Sequence, residues 1–449
     1  MIGVATIALI IYIFTIIIWA VLIKRNMAEG MIIGFVIVAL FGQDKAFDLM
    51  KMGLASALSN EVLFASLAFV LMSYLIKESE LLEGILKIFD SLLGKLPGGP
   101  AFVNIGLSAT MGMLSGSNSA NTATSGTFTA QWMIETGWKK EVAATLIAGN
   151  GGLGAGFPPS ASMFIMLGFA QISEVITEGQ LYVGLFISGV YQVLYRIGLV
   201  LFLIKKYSIK GTKLDKRDNF LSALKENWRS LIVFLGAIVP ILLTVGPIGS
   251  FLKSKGMERA VDSISLLVWI PTLMITIILL LGYKNLITNI GSKKNLVATL
   301  FPHYKNIGGV LLFAFAASSI FSELGLASEL VGLFNSLNFT KPIMVLLVGA
   351  MIVLVAGPLS STATLTSIGL ISFTALTSVG VAPLAAVVSI LVFASTEGAS
   401  PPASGSIFIA AGLTDSKPDA LFYPLIKFFV VPITLLGWFI AMGYLPLFM

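Results

Sequence analysis

The chain has 449 residues, of which 57% are hydrophobic and 11% charged, with a formal net charge of +6 and a mean hydropathy of +0.96. A soluble domain carries about a quarter charged residues, so this chain has too few to cover a water-facing surface and reads as an all-α polytopic membrane protein. It has no cysteine and a single histidine, His303. That excludes disulfides, thiolate nucleophiles and multi-histidine zinc or haem sites, and the positive charge reads as a topology signal with no nucleic-acid partner implied.

Apolar stretches run over Ile2–Ile23, Val62–Ile76, Leu181–Ile204, Leu231–Leu252, Ile264–Leu281, Ile343–Ala356 and Leu425–Met442. Several approach the ~20 residues a helix needs to cross the bilayer, whereas others are short enough for broken or re-entrant elements, giving about ten to twelve crossing or half-crossing helices. The first stretch has no basic leader and no small-residue cleavage pattern, so residues 1–59 are expected to be mature N-terminal scaffold spans. Residues 60–204 follow as a first repeat. Within it, 77–99 is amphipathic and too charged to cross, which predicts an interfacial arm. The polar run "SGSNSANTATSG" at 115–126 and the Gly/Pro-rich 151–160 interrupt otherwise apolar sequence. Arg196 is expected to snorkel to the headgroups.

Residues 205–302 are expected to hold a basic loop and connecting scaffold spans. The segment 205–230 carries eight Lys and Arg residues, which places it in the cytoplasm by the positive-inside rule, with Lys284, Lys293, Lys294 and Lys305 on the same side. Lys24-Arg25 would then be inside and the N-terminus outside. Residues 303–449 form a second repeat, with further interruptions at 357–366 and 395–403.

The two repeats align at a single offset of 243: Gly126 over Gly369, Pro158-Pro159 over Pro401-Pro402, and Ser79-Glu80-Leu81 over Ser322-Glu323-Leu324. At that offset "SNSANTATSG" lies over "SSTATLTSIG". The gapless spacing from glycine to proline pair implies duplication. Duplicated membrane chains with matching Gly/Pro-interrupted segments are typically secondary transporters, whose helices break at mid-membrane so that carbonyls and half-helix ends can hold ions and substrate.

Glycine permits backbone geometry a helix refuses, and proline removes a donor. Gly126, Pro158, Pro159, Gly369, Pro401 and Pro402 are therefore structural candidates. A hard cation takes oxygen ligands, so Ser117, Asn121, Ser360 and Thr364, with main-chain groups around Gly152, Gly154, Thr396 and Gly398, are candidate sodium ligands. Candidate substrate contacts are Asn118, Asn121, Asn150, Ser160, Thr362 and Glu397. Asn150 could bind substrate or cap a helix end. Glu397, ionisable within "SILVFASTEGASPP", is expected as cation ligand or proton carrier.

Two segments, "LPGGPAFVNIGLSATMGMLSGSNSANTATSGTFTAQWM" at 96–133 and "GWKKEVAATLIAGNGGLGAGFPPSASMFI" at 137–165, resemble the large membrane subunit of the tripartite ATP-independent periplasmic (TRAP) transporters. The likeness continues over 172–190 and more weakly around Pro401-Pro402. The resemblance implies inverted repeats with helical hairpins and broken helices, and sodium-coupled elevator import of a small organic acid. An extracytoplasmic solute-binding protein would deliver the substrate, and a separate small four-helix subunit would support the scaffold. Carried over, the family's sodium and substrate sites fall on Ser117, Asn121, Gly152, Pro159, Ser360, Thr364 and Gly398. Two departures stand out: Glu397 in "TEGASPP", and the absence of arginine from every interruption. The alternative is a stand-alone sodium- or proton-coupled carboxylate carrier of the broader ion-transporter group. An enzyme would need a base, nucleophile or metal cluster that Glu397 alone does not supply.

Overall fold

The structure, a computed structural model, describes residues 3–115, 117–210, 219–244, 246–291, 296–337, 339–357, 359–401 and 404–447. Among these residues all regular structure is helical. Four helices are long and apolar enough to cross a membrane, Glu178–Tyr207, Phe220–Thr244, Leu266–Ile290 and Asp419–Ala441, and six shorter apolar helices of 10–17 residues accompany them.

The chain begins with α1 (Val4–Ile17), α2 (Met27–Leu40), α3 (Ala46–Leu58) and α4 (Glu61–Glu78). The arm α5 (Leu81–Leu93) is shorter than the amphipathic sequence suggests, because α4 keeps its helical ladder through Lys77 and Glu78. Leu81, Leu82, Ile85 and Ile88 of α5 are buried, while Glu83 and Lys87 face outward. That is the one-sided stripe expected of a helix lying along a surface.

Next come α6 (Gly99–Ser115) and α7 (Asn118–Glu135), which pack on each other as a hairpin. After them, α8 (Lys140–Gly151) and α9 (Ala161–Leu167) are the two halves of one broken helix, and α10 (Glu178–Tyr207) returns the chain. Thr177 and Gln180 close a capping box at the start of α10, and Lys205 and Lys206 lie in its last turn, where cations complement the helix dipole.

After α11 (Phe220–Asn227) come α12 (Leu235–Thr244), α13 (Leu266–Gly291) and α14 (Leu296–Glu323). α13 packs on α4, and α14 packs on α2, α3 and α4. These crossings carry the chain to the end opposite the first arm, where the second arm α15 (Leu326–Leu337) begins. Its Glu329 carboxylate accepts the backbone N–H groups of Ala5 (3.3 Å) and Thr6 (2.8 Å) at the start of α1, so the first residues of α1 lie at that same end.

The second repeat then copies the first: hairpin α16 (Lys341–Ala356) and α17 (Ser361–Ser378), broken helix α18 (Pro383–Ala394) and α19 (Gly405–Thr414), and the return through α20 (Asp419–Leu425) and α21 (Val431–Ala441). The repeats interlock reciprocally. α19 packs on α7 and α8, and its counterpart α9 packs on α17. Glycines at equivalent positions allow both approaches: a side chain on Gly126 would strike Leu413 of α19, and one on Gly369 would strike Met166 of α9.

Candidate functional site

The structure separates the four sequence interruptions into two kinds. The run at 115–126 is a hairpin tip in which, among the described residues, Ser117 alone is non-helical, and from Asn118 onward the Ser/Asn/Thr residues are turns of α7. Likewise 357–366 is helical from Ser361. Both polar runs are therefore narrower breaks than the sequence suggests, because a serine cap restarts the helix at once. Ser117 Oγ accepts the N–H of Ala120 (3.4 Å), and the equivalent Ser360 Oγ accepts that of Ala363 (3.2 Å), each satisfying an orphan donor of the first turn. The interruptions at 151–160 and 395–403 are the true breaks in helices. Gly152–Ser160 connects α8 to α9, with a short helical turn at Leu153–Gly156, and Ser395–Ala399 is a 3-10 turn after α18. Ser160 Oγ caps α9 through Met163 N–H (3.2 Å). Pro158 and Pro159 form the bend before it. Pro401 follows the second break, and Pro402, Ala403, Gly116 and Pro358 lie outside the described residues, as do residues 211–218 of the basic loop, Lys293, Lys294 and the side chain of His303.

These parts meet at one centre. Asn118 Nδ2 donates to Ser361 Oγ (3.0 Å), a pair separated by 243 residues. A side chain on Gly152 would collide with the carbonyl of Ser395, which is again its equivalent at that offset. When equivalent residues touch, both lie on the pseudo-two-fold axis relating the repeats. The axis therefore passes between the hairpin tips and between the helix breaks. Around it, Ala155 N–H donates to Asn118 Oδ1 (3.0 Å). A Cβ on Gly154 would meet Ser117 O (2.8 Å), and one on Gly398 would meet Ala148 O (3.1 Å). Only glycine allows these backbones to come so close.

The donor set is mostly neutral oxygen. Asn121 Nδ2 donates to the carbonyls of Ser108 (2.8 Å) and Gly151 (3.2 Å), and Asn150 Nδ2 donates to Asn104 Oδ1 (2.8 Å). The Oδ1 atoms of Asn121 and Asn150 are both buried without a hydrogen-bond partner. An orphaned buried carbonyl costs about 1–3 kcal/mol, and two of them around Gly151 fit a cation's need for oxygen ligands. In the second repeat, Ser361 Oγ donates to Glu397 Oε2 (3.3 Å) and to Ala394 O (3.2 Å). Glu397 is buried. Among the described residues no three His, Cys, Asp or Glu cluster as a metal centre.

Other candidates are committed locally. Thr364 Oγ1 bonds back to Ser360 O (3.0 Å), and Thr396 Oγ1 to Phe393 O (2.7 Å). Thr362 is half-buried on the first turn of α17. The Asn150 amide ties α8 to the hairpin helix α6.

Arg196 corrects the sequence reading. It lies 11 residues before the end of α10 at Tyr207, about 16 Å at 1.5 Å per residue, which is half the hydrocarbon thickness and too deep to snorkel. Its side chain is 1% exposed, and Nη2 donates to Gly149 O (3.1 Å) in the last turn of α8. An arginine does therefore stand at a break. Sequence reasoning also missed Asn104, Ser108, Ser125 and Thr129, which cross-link the first hairpin through Asn104 Nδ2 to Thr129 Oγ1 (2.8 Å) and Ser108 Oγ to Ser125 Oγ (3.1 Å). A usable signal existed: Asn104 and Ser108 are polar residues four apart in the apolar α6, as Ser125 and Thr129 are four apart in the facing α7.

Two interlocked repeats, each with a hairpin tip and a helix break at one axis, define a membrane transporter of the inverted-repeat class. The chain belongs to the DctM family: the family model described as "Tripartite ATP-independent periplasmic transporter, DctM component" matches residues 7–447. A curated relative, the isethionate TRAP transporter permease protein DctMQ of Oleidesulfovibrio alaskensis, is 30% identical over 164 residues, 36% of this chain and 25% of that protein; the match thus spans about a quarter of the relative's length. Two solved structures share the fold, each at TM-score 0.60. They are the Alcanivorax borkumensis YdaH transporter, at 15% identity over 90% of this chain and 89% of that one, and Neisseria gonorrhoeae MtrF, at 13% identity over 89% and 85%.

Proposed function

We propose that the protein is a sodium-coupled importer of a small organic anion, a carboxylate or a sulfonate such as isethionate, working by an elevator movement in the cytoplasmic membrane. An extracytoplasmic binding protein delivers the substrate, and a separate small four-helix membrane subunit completes the scaffold. The carrying observation is the pair of axis contacts, Asn118 with Ser361 and Gly152 with Ser395. They gather both hairpin tips and both breaks at a single centre, and beside the first break the orphaned Oδ1 atoms of Asn121 and Asn150 are suitable oxygen ligands for a cation. Half-helix N-termini at α9, α7 and α17 offer N–H groups to an anion. With the basic loop in the cytoplasm, the first hairpin opens from the inside and the second from the outside, as alternating access requires.

At the end of the molecule near the second arm the hairpins and broken helices meet α4, α13 and α14 through polar bonds, Asn60 Nδ2 to Gly168 O (3.0 Å), Gln171 Nε2 to Ser322 Oγ (3.2 Å) and Glu178 Oε2 from Leu266 N–H (2.6 Å), and through buried aromatic pairs, Phe164 on Phe69 and Phe169 on Phe315. A cavity of about 480 Å³ lined by Asn60, Glu61, Gln171 and Glu323 lies at that seam.

A second reading, a stand-alone proton-coupled carrier, is favoured by one observation, the buried Glu397 carboxylate at the second break. Reconstitution into liposomes separates them. Uptake of a labelled organic-acid panel that needs both a sodium gradient and an added binding protein supports the first reading. Proton-driven uptake by the chain alone, lost in Glu397→Gln, supports the second.

A further inference from the structure

Gln192 and Arg196 sit one turn apart on α10, and between them they hold both helix breaks. Arg196 Nη2 donates to Gly149 O (3.1 Å), and its Nη1 donates to Gln192 O (3.2 Å) and Gln192 Oε1 (3.4 Å). Gln192 Nε2 donates to Gly156 O (3.5 Å), while Gln192 Oε1 accepts Ser395 Oγ–H (3.2 Å). The first break is thus fastened at the last turn of α8, through Gly149, and within the break itself, through Gly156, and tied through one amide to the second break at Ser395. Arg196 also stacks against Phe429, 5.7 Å from the ring centroid, and its Nε has no hydrogen-bond partner. A guanidinium buried with carbonyls and an amide, and among the described residues with no carboxylate bonded to it, is costly to keep. At the equivalent positions of α21 stand Leu435 and Phe439, so the second repeat has no such device.

We infer that Arg196, acting through Gln192, is a positioning residue that presets the carbonyl geometry of the first break and couples it to the second, thereby setting the protein's affinity for its coupling cation. The inference rests on the cation-coupled reading above. The planar fork of arginine can grip Gly149 and Gln192 together, which a lysine ammonium does only in part.

The test is thermal melting of the purified full-length chain in detergent, followed by tryptophan fluorescence as sodium chloride replaces choline chloride at constant ionic strength. In Arg196→Met the sodium concentration for half-maximal stabilisation should rise tenfold or more, with part of the shift recovered in Arg196→Lys. A variant that melts lower but keeps the wild-type sodium midpoint overturns the inference, since a merely structural arginine would do that. If the wild type ignores sodium, the sodium reading fails by itself; the same series titrated against pH then decides the clamp, and equal proton midpoints overturn it. Should Arg196→Met not fold, Gln192→Leu, which leaves the Gly149 bond and cuts those to Gly156 and Ser395, is read in the same way.

Discussion

The two repeats share a path but not a chemistry. In the first, Asn104, Thr129 and Asn150 form a buried hydrogen-bonded ladder between the hairpin and the broken helix. At the same offset the second has Leu347, Ser372 and Phe393, and Phe393 packs over Gly349 and Gly437. The charges differ too: Arg196 binds the first break, whereas Glu397 occupies the second where the first has Gly154. Duplication preserved what the backbone needs, namely caps, glycines and the proline corner, and freed the side chains to diverge. The two halves of the centre are therefore unequal sites, one made of amides and carbonyls and one containing a carboxylate.

The harshest way to break the comparison is at the axis, where both repeats depend on the same contact. Gly152→Val would force the breaks apart at Ser395. Overpacking typically costs about 1–3 kcal/mol, so uptake should fall by roughly tenfold to a hundredfold at about 1.4 kcal/mol per decade. Gly412→Ala, with no atom within 4 Å of its added Cβ, should transport normally in the same assay.

Changing one repeat into the other sharpens the contrast. Asn150→Leu strips Asn104 Oδ1 of its donor and should cost about 1–3 kcal/mol, read as a lower melting temperature. Asn104→Leu with Asn150→Leu replaces both partners by apolar groups of similar size, and melting should recover while the sodium midpoint stays about tenfold raised, because the orphaned Oδ1 of Asn150 is gone. Recovery of both would remove Asn150 from the cation's surroundings. Glu397→Gln tests the other half. It keeps an oxygen for the Ser361 hydroxyl and deletes the charge, so a sodium midpoint roughly threefold to tenfold higher is expected, about 0.7–1.4 kcal/mol, which is less than the ~1.5–3 kcal/mol of a hydrogen bond to a charged group because that bond is kept.

What the sequence could reveal follows the same division. The helical membrane class was legible because period and hydropathy are local properties. So was the repeat offset, because Gly126 with Gly369 and the proline pairs are backbone requirements that tolerate little substitution. Which interruption is a hairpin tip was not legible: Ser117 and Gly152 both sit in Gly/Ser-rich runs, and only the packing of α6 on α7 distinguishes them. The inward-facing residue at each tip is the one after the cap, Asn118 or Ser361, and at the second tip composition directed attention to Ser360 and Thr362 instead. Arg196 was misread because its partner carbonyl lies 47 residues away, and depth along α10 says nothing about what stands opposite.

The mildest contrast lies at the rim, where Lys140 Nζ at the start of α8 meets Asp415 Oδ2 just beyond α19 (2.8 Å), joining the broken helices of different repeats. The Lys140 ammonium, by hydrogen bond and charge, holds the Asp415 carboxyl below its ordinary value. A depressed carboxylate contributes stability that is present above its unfolded value and lost as pH falls through the folded one. Asp415→Asn should therefore lower the melting temperature at neutral pH, and the gap should close in acid. The pair is exposed, with Asp415 at 92%, so solvent screens it: the gap should be about one degree or less and should vanish in high salt. A gap that persists at molar salt would mean the interlock between repeats depends on this rim contact and not on the glycine-mediated packing at Gly126 and Gly369.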